Sequence, residues 1–223
     1  MHHYDMLDSR FKIRPIPRLA TDEMVTLAFT RLMKKRLTRR VHAMIERSLP
    51  YFRELRGKAI TVGYTRAHLG SASVAYRAGR ASRLIIRLKV RKLTFQTIGH
   101  ELTHLVQGLS HGDRRSPSSV HTEGIPAGEK QCDIWTLARA PLFCDDPPSY
   151  LRLPRLLRDG WPDYAEDVRK LCIGAIEKRK EYRLYIRWLE AEIGKLANPQ
   201  RRKKSAAGQL SLPFTNHSES RRK

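Results

Sequence analysis

Two histidines, His100 and His104, stand four residues apart and flank a glutamate, Glu101, in a segment that reads as a helix. On a helix, residues four apart share a face, so both imidazoles can direct a nitrogen at one zinc ion at about 2.0–2.1 Å. Glu101 is turned by about 100° from His100, which lets its carboxylate hold a water beside the metal without occupying a coordination position. The spacing favours a zinc site over a helix that carries two partly exposed histidines.

The same segment also predicts its own burial. Ile98, Leu102, Leu105 and Leu109 follow a 4-3-4 spacing and form an apolar stripe beside the histidine face. One helix is therefore expected to serve both the core and the site.

A second helical pattern, residues 128–138, supplies two further carboxylates. A zinc site needs a third protein ligand and an oriented imidazole. Glu129 can be that ligand, and Asp133, one turn later on the same face, can accept the outer N–H of a ligating histidine. The alternative is that the two acids only stabilise the first turn of a helix.

The two motifs, HExxH at 100–104 and ExxxD at 129–133, resemble those of the gluzincin metallopeptidases, the thermolysin-like clan. The resemblance covers residues 58–141 and implies that His100, His104 and Glu129 ligate zinc, that Glu101 is the general base and that Asp133 orients a histidine. It also implies a small twisted sheet before the HExxH helix, whose edge strand pairs with an extended peptide substrate.

Other residues stay open as the third ligand. His111 lies seven residues after His104, whereas the metzincin pattern needs six and a glycine where Gln107 stands. The SprT-like proteases use a later histidine followed by glycine, a role open to His111 or His121, and Glu123 is a further alternative. His111 or His121 could instead steady the oxyanion of a tetrahedral intermediate.

The composition is strongly basic. The chain has 44 basic and 22 acidic residues among 223, a formal charge of +22 and a pI near 10.5. Such a charge favours a polyanionic partner, most simply nucleic acid, over a basic surface without a partner. The length suits one catalytic domain with appendages rather than two full domains.

Cysteine usage and hydropathy indicate the compartment. Cys132, Cys144 and Cys172 cannot all pair within one chain, and the first residues have no apolar signal region. No apolar run reaches the roughly 18 residues that a membrane span needs. These features predict a reduced, cytoplasmic protein without a membrane segment, associated with the nucleoid if it binds DNA.

Upstream of the motif, the pattern changes from helix to strand. Residues 1–20 are expected to form an irregular basic arm, and Thr21 to cap a helix that runs to Leu49. That helix carries a basic cluster, Lys34, Lys35, Arg36, Arg39 and Arg40. Strands are expected at 59–64, 72–77 and 83–91. The last alternates apolar with basic residues and holds the place in the chain of the edge strand, so its basic face is expected to border the cleft.

Downstream, Asp163 is expected to cap one long helix. Its apolar residues keep a 4-3 rhythm to Leu196 that is interrupted only at Lys178. This seam must be buried, either on the catalytic core or against a second copy in a homodimer. Pro199 ends the helix, and residues 199–223 have the composition of a disordered basic tail.

Within that tail, the apolar residues 209–214 resemble the bacterial sliding-clamp binding peptide. The resemblance implies that Gln209, which precedes Leu210, anchors the peptide by hydrogen bonds while Leu212 and Phe214 fill an apolar pocket. The alternative is a strip that docks on the protein's own core.

Together these patterns predict an α+β protein with a minimal zincin-like catalytic domain. The expected segments are an arm (1–20), an N-terminal helical segment (21–57), the catalytic core (58–155), a long C-terminal helix (156–198) and a tail (199–223). The expected function is a zinc metallopeptidase that acts near DNA on DNA-bound or DNA-crosslinked proteins, similar in logic to the Spartan/SprT-like proteases. The alternatives are a protease that cuts a DNA-bound repressor, like the ImmA/IrrE-type proteins, and a nucleic-acid-binding adaptor with a structural or vestigial zinc site.

Overall fold

The computed structural model describes residues 24–77, 80–113 and 124–198. Within them the chain folds as α+β, the predicted class, with a mixed four-stranded sheet and seven helices. The chain divides into two compact units, Met1–Pro126, which holds the sheet, and Ala127–Lys223, whose described elements are helical. None of the described helices has the length and apolar character needed to cross a membrane.

The sheet has the strand order β1-β2-β4-β3. Three strands run parallel, β1 (Thr26–Phe29), β2 (Ala59–Tyr64) and β4 (Arg80–Leu88), and β3 (Gly70–Arg77) pairs antiparallel with β4 at one edge. The strand predicted at 59–64 is confirmed residue for residue.

The alternation along β4 separates the two faces of the sheet. Leu84, Ile86 and Leu88 are buried, whereas Arg83, just before Leu84, and Arg87, between Ile86 and Leu88, are exposed. Successive residues of a strand point to opposite faces, so the three apolar side chains share one face and the two arginines the other.

The helix α3 (Phe95–Asp113) carries the HExxH motif and lies on the apolar face, against β3 and β4. It begins at a threonine cap, because the Thr94 hydroxyl accepts a hydrogen bond of 3.1 Å from the Thr97 N–H. Its predicted stripe is confirmed, with three members fully buried: Ile98, Leu102 and Leu105. The burial of this stripe fixes the rotation of α3 about its axis and therefore the direction in which the HExxH side chains point.

The helix predicted over residues 21–49 is wrong in its first part. Thr26–Phe29 forms β1, and two shorter helices follow, α1 (Arg31–Lys34) and α2 (Arg39–Ser48). β1 has a parallel partner in β2, a non-local pairing that overrides the local helical spacing. Thr38 caps α2 by accepting a hydrogen bond from the Val41 N–H, which starts a new helix inside the predicted one.

The expectation that residues 83–91 form the edge strand is also wrong. β4 is paired on both sides, by β2 and β3, and β3 lies at the edge. Strand order depends on pairing between segments distant in sequence, which the order of segments along the chain does not reveal. Arg83 and Arg87 lie on the face opposite α3, so they do not border a cleft at the HExxH helix.

The helical unit contains α4 (Glu129–Arg139), α5 (Arg155–Asp159), α6 (Trp161–Lys178) and α7 (Tyr185–Leu196). α6 packs against both α4 and α7. The three helices share one apolar core, whose fully buried members include Ile134, Leu137, Val168, Leu189 and Ile193.

The single long helix predicted over residues 156–198 is wrong. α6 ends at Lys178, the position where the apolar rhythm is interrupted, and α7 begins at Tyr185. Both halves of the predicted seam lie in the same core, with Cys172 on α6 and Leu189 on α7 fully buried. Much of the apolar seam therefore packs within this unit, although its member Tyr182 is exposed, and the homodimer stays a prediction.

The predicted arm at 1–20 and tail at 199–223 lie outside the described residues, and the clamp-like peptide lies there too. Its four named residues are Gln209, Leu210, Leu212 and Phe214.

Candidate functional site

The two motif histidines face each other across one turn of α3. Nε2 of His100 and Nε2 of His104 lie 3.2 Å apart. Two nitrogens bound to one tetrahedral zinc at about 2.05 Å each would lie about 3.3 Å apart. The observed separation therefore fits a shared metal ion without a change of helix geometry.

Gln107 determines which nitrogen of His104 can bind a metal. The Gln107 amide nitrogen donates to the carbonyl oxygen of Pro126, which places its amide oxygen toward His104. That oxygen lies 3.0 Å from Nδ1 of His104 and can only accept, so Nδ1 carries the proton. In a neutral imidazole, Nε2 then keeps its lone pair for the metal.

Glu101 is buried beside the histidines, at 5 % exposure. Its side chain lies against the backbone of Gly70 at the start of β3. A methyl group at position 70 would come within 2.6 Å of Cγ and 2.7 Å of Cδ of Glu101, closer than carbon atoms pack. The missing side chain of Gly70 thus makes the space that the carboxylate occupies.

A second glycine lets α3 approach β3 closely. A methyl group at Gly108 would lie 3.1 Å from Cβ of Val74 and nearer still to one of its methyl groups. The Tyr76 hydroxyl also donates a hydrogen bond to the Gly108 carbonyl oxygen. The edge strand β3 therefore runs along the motif helix, in contact with it near both Glu101 and Gly108.

Cys132 is a further side chain of a type that binds zinc, since thiolate and imidazole are the ligand types that zinc prefers. It is fully buried on α4, three residues after Glu129. The sequence reasoning used Cys132 only as an indicator of compartment, although its position in the helix expected to supply a ligand made it a candidate.

The residues of the ExxxD motif differ sharply in environment. Glu129 is the exposed first residue of α4. Asp133 is fully buried, and its Oδ2 accepts hydrogen bonds from the backbone N–H groups of Tyr150, at 2.6 Å, and Leu151, at 2.8 Å. Asp133 therefore holds the 150–151 backbone, and its predicted contact with a histidine stays a prediction.

The remaining predicted site residues are placed only in part. His111 belongs to the last turn of α3. His121 and Glu123 lie outside the described residues. Sequence reasoning missed Gln107 and Gly70. Gln107 could have been found as an amide three residues after a candidate ligand, His104, whereas nothing local indicates that Gly70 lies against Glu101.

Comparison with known protein families, with curated proteins and with solved structures finds no match to this chain.

Proposed function

We propose that this protein is a zinc-dependent metallopeptidase whose site is built on α3. The observation that carries the proposal is the pair of Nε2 atoms of His100 and His104, 3.2 Å apart, with the buried Glu101 next to them. A structural zinc site has no use for such an acid, whereas a hydrolytic site needs one.

Zinc held there would polarise a substrate carbonyl and make water a stronger nucleophile at neutral pH. Glu101 takes the proton of the attacking water and passes it to the leaving amine. Its confinement by Gly70 keeps the carboxylate in one position for both transfers. Gln107 holds His104 in the tautomer that leaves Nε2 available.

Two residues compete for the third ligand position, Glu129 and Cys132. The preference of zinc for thiolate ligands favours Cys132, and the gluzincin resemblance favours Glu129. Zinc content and affinity of Glu129→Ala and Cys132→Ala decide between them. Cobalt replacement adds an independent readout, because a thiolate ligand produces a charge-transfer band that a carboxylate does not. A band that is present in the native protein and absent in Cys132→Ala assigns the thiolate.

The activity test compares the native protein with Glu101→Gln. We expect native protein with one zinc per chain to cleave casein or a basic DNA-binding protein. Glu101→Gln should keep the zinc and lose cleavage by a factor of about 100 or more, the usual contribution of a general base. A fully zinc-loaded native protein that cleaves neither substrate, with and without DNA, would contradict the peptidase proposal.

We also propose that the protein acts near DNA, on DNA-bound or DNA-crosslinked proteins. Residues 24–126 contain 20 basic and five acidic residues, whereas residues 127–198 contain 13 and 12. The excess charge thus belongs to the segment that carries the HExxH helix and supports a polyanion as its neighbour. Stimulation of cleavage by duplex DNA would support a site of action near DNA. The clamp-like peptide at 209–214 is a proposed further contact, tested by binding of that peptide to a bacterial sliding clamp.

Two alternatives predict different outcomes of the same experiments. A repressor-cutting protease would cleave one DNA-bound regulator and leave casein and general DNA-binding proteins intact. A non-catalytic adaptor would bind DNA equally well as native protein and as Glu101→Gln, and neither would cleave any substrate.

A further inference from the structure

The sheet presents a face to solvent on the side opposite α3. Its exposed charges include Arg83 and Arg87 of β4. Their cross-strand neighbours are small, since Ala75 pairs with Arg83 and Gly63 pairs with Arg87. Ser73 and Thr61 flank the intervening Ile85. We call this surface, defined by Arg83, Arg87, Thr61, Gly63, Ser73 and Ala75, the arginine face.

Small neighbours let the arginine side chains spread over the sheet. A methyl group at Gly63 would lie 3.2 Å from Cγ of Arg87, so the Arg87 side chain crosses the position of that glycine. The same methyl group would lie 3.7 Å from a methyl carbon of Thr30, the cap of α1. The arginine face therefore reaches the start of the α1–α2 segment.

The α1–α2 segment extends the positive surface. Its exposed basic residues are Arg31, Lys34, Lys35, Arg39 and Arg40. Arg36 lies over the ring of Tyr64, the last residue of β2, with 4.5 Å between its guanidinium carbon and the ring centroid. This contact holds the basic segment to the end of the sheet.

No acidic residue opposes these charges within the strands. The sequences of β1 to β4 contain no aspartate or glutamate, and Glu101, on α3, lies against the opposite side of the sheet. An exposed cationic face without internal ion pairs is complementary to a line of phosphates.

The residues of the arginine face also indicate which nucleic acid fits. Recognition of single strands depends on aromatic side chains on which bases stack, and this face has none. Arginine and small hydroxyl residues instead suit the phosphate backbone of a duplex, which carries no base information.

We propose that the arginine face, continued by the α1–α2 segment, binds the phosphate backbone of duplex DNA without sequence preference. The arginine face itself lies on the side of the sheet away from the HExxH helix, whereas α2 packs against that helix. This inference deepens the proposed placement of the protein near DNA and rests on it, but it does not depend on peptidase activity.

The test measures binding of the full chain to a fluorescein-labelled 25-base-pair duplex at several salt concentrations. The variant is Arg83→Ala/Arg87→Ala. The matched control is Arg183→Ala/Arg187→Ala, which removes two exposed arginines at the same four-residue spacing from the helical unit. Zinc content and thermal unfolding of each variant verify that the fold is intact.

We expect the Arg83→Ala/Arg87→Ala variant to bind the duplex several-fold more weakly. The slope of log affinity against log salt should fall in magnitude by about two, one for each lost phosphate contact. The control should match the native protein, and Arg83→Lys/Arg87→Lys should recover most of the affinity because phosphate contacts need charge.

If the native protein binds the duplex and the Arg83→Ala/Arg87→Ala variant shows the same salt slope, the arginine face is not the DNA-binding surface. The proposal that the protein acts near DNA would not be affected by that result. Absence of duplex binding by the native chain would overturn both. Stronger binding to a single strand than to the duplex would overturn the choice of nucleic acid. Peptide cleavage by zinc-loaded protein without DNA is independent of all three outcomes.

Discussion

Gly70 leaves the space in which the carboxylate of Glu101 lies. The two residues are 31 positions apart in sequence, and a methyl group at position 70 would come within 2.6 Å of the Glu101 side chain. The edge strand of the sheet and the motif helix thus meet at the group that we propose as the general base.

Gly70→Ala is therefore expected to damage activity more than stability. The atoms that a methyl group would meet belong to the end of a flexible side chain, so the fold can adapt by moving the carboxylate. A displacement of about 1 Å costs on the order of 100-fold in rate. Peptide cleavage and zinc content measure the effect, and zinc should stay at the native level.

Gly194→Ala is the matched control for that experiment. A methyl group at Gly194 meets nothing within 4 Å, and the position is inside α7. The change should leave cleavage unaltered and raise the free energy of unfolding by about 0.5–1 kcal/mol, because alanine is the better helix former. Native cleavage by Gly70→Ala would contradict the role given to this glycine.

Gln107→Leu is expected to weaken zinc binding. The change removes the amide oxygen that holds Nδ1 of His104, and loss of such a contact costs about 10- to 100-fold in metal affinity. Competition with a chromogenic chelator measures that affinity. Ser110→Ala serves as control on the same helix, since its hydroxyl donates to the Val106 carbonyl and not to a histidine. Equal affinity in the two variants would mean that Gln107 does not orient His104.

Asp133→Ala is expected to destabilise the protein. Two backbone N–H groups, of Tyr150 and Leu151, lose a charged acceptor in a buried position, which costs about 3 kcal/mol in the free energy of unfolding. Urea unfolding measures the loss. Asp159→Ala removes an exposed partner of Arg155 and should change the free energy by less than about 0.5 kcal/mol.

The same Asp133→Ala protein tests the gluzincin expectation separately. A fall of about 10- to 100-fold in zinc affinity would support a contact between Asp133 and a ligating histidine. Native zinc affinity together with lower stability would limit Asp133 to holding the 150–151 backbone.

Cys144 is expected to resist modification at neutral pH. Burial raises the pKa of its thiol from 9.0 to about 12, partly offset by the positive charge of Arg169. The reactive thiolate is therefore scarce in the folded protein at pH 8. Iodoacetamide should label Cys144 much more slowly in native protein than in urea, as measured by mass spectrometry. Equal labelling rates would contradict the burial.

The same shift predicts a loss of stability in alkali. The thiol ionises near pH 9 in the unfolded chain and near pH 12 in the folded one, so between these values the unfolded state binds fewer protons. The contribution of Cys144 to the free energy of unfolding is thus fully present below pH 9 and declines as the pH rises toward 12. Cys144→Ala should show a shallower decline over this window in urea titrations.

Short-range sequence patterns were sufficient to predict the HExxH helix and one strand. The spacing of Ile98, Leu102 and Leu105 predicts both α3 and its buried side, because a helix repeats every 3.6 residues whatever it packs against. β2 is confirmed residue for residue on the same ground, with a period of two. The interruption at Lys178 also indicated the end of α6, although the prediction ran through it.

Tertiary structure decided everything that depends on pairing between distant segments. Residues 26–29 have helical spacing, yet they form a strand because β2 offers a parallel partner. Alternation along β4 predicts that Arg83 and Arg87 share a face, but only the packing of α3 shows that this face is turned away from the histidines. Gly70 acquires its role because the chain brings β3 against α3, and no local pattern records a contact formed across 31 residues.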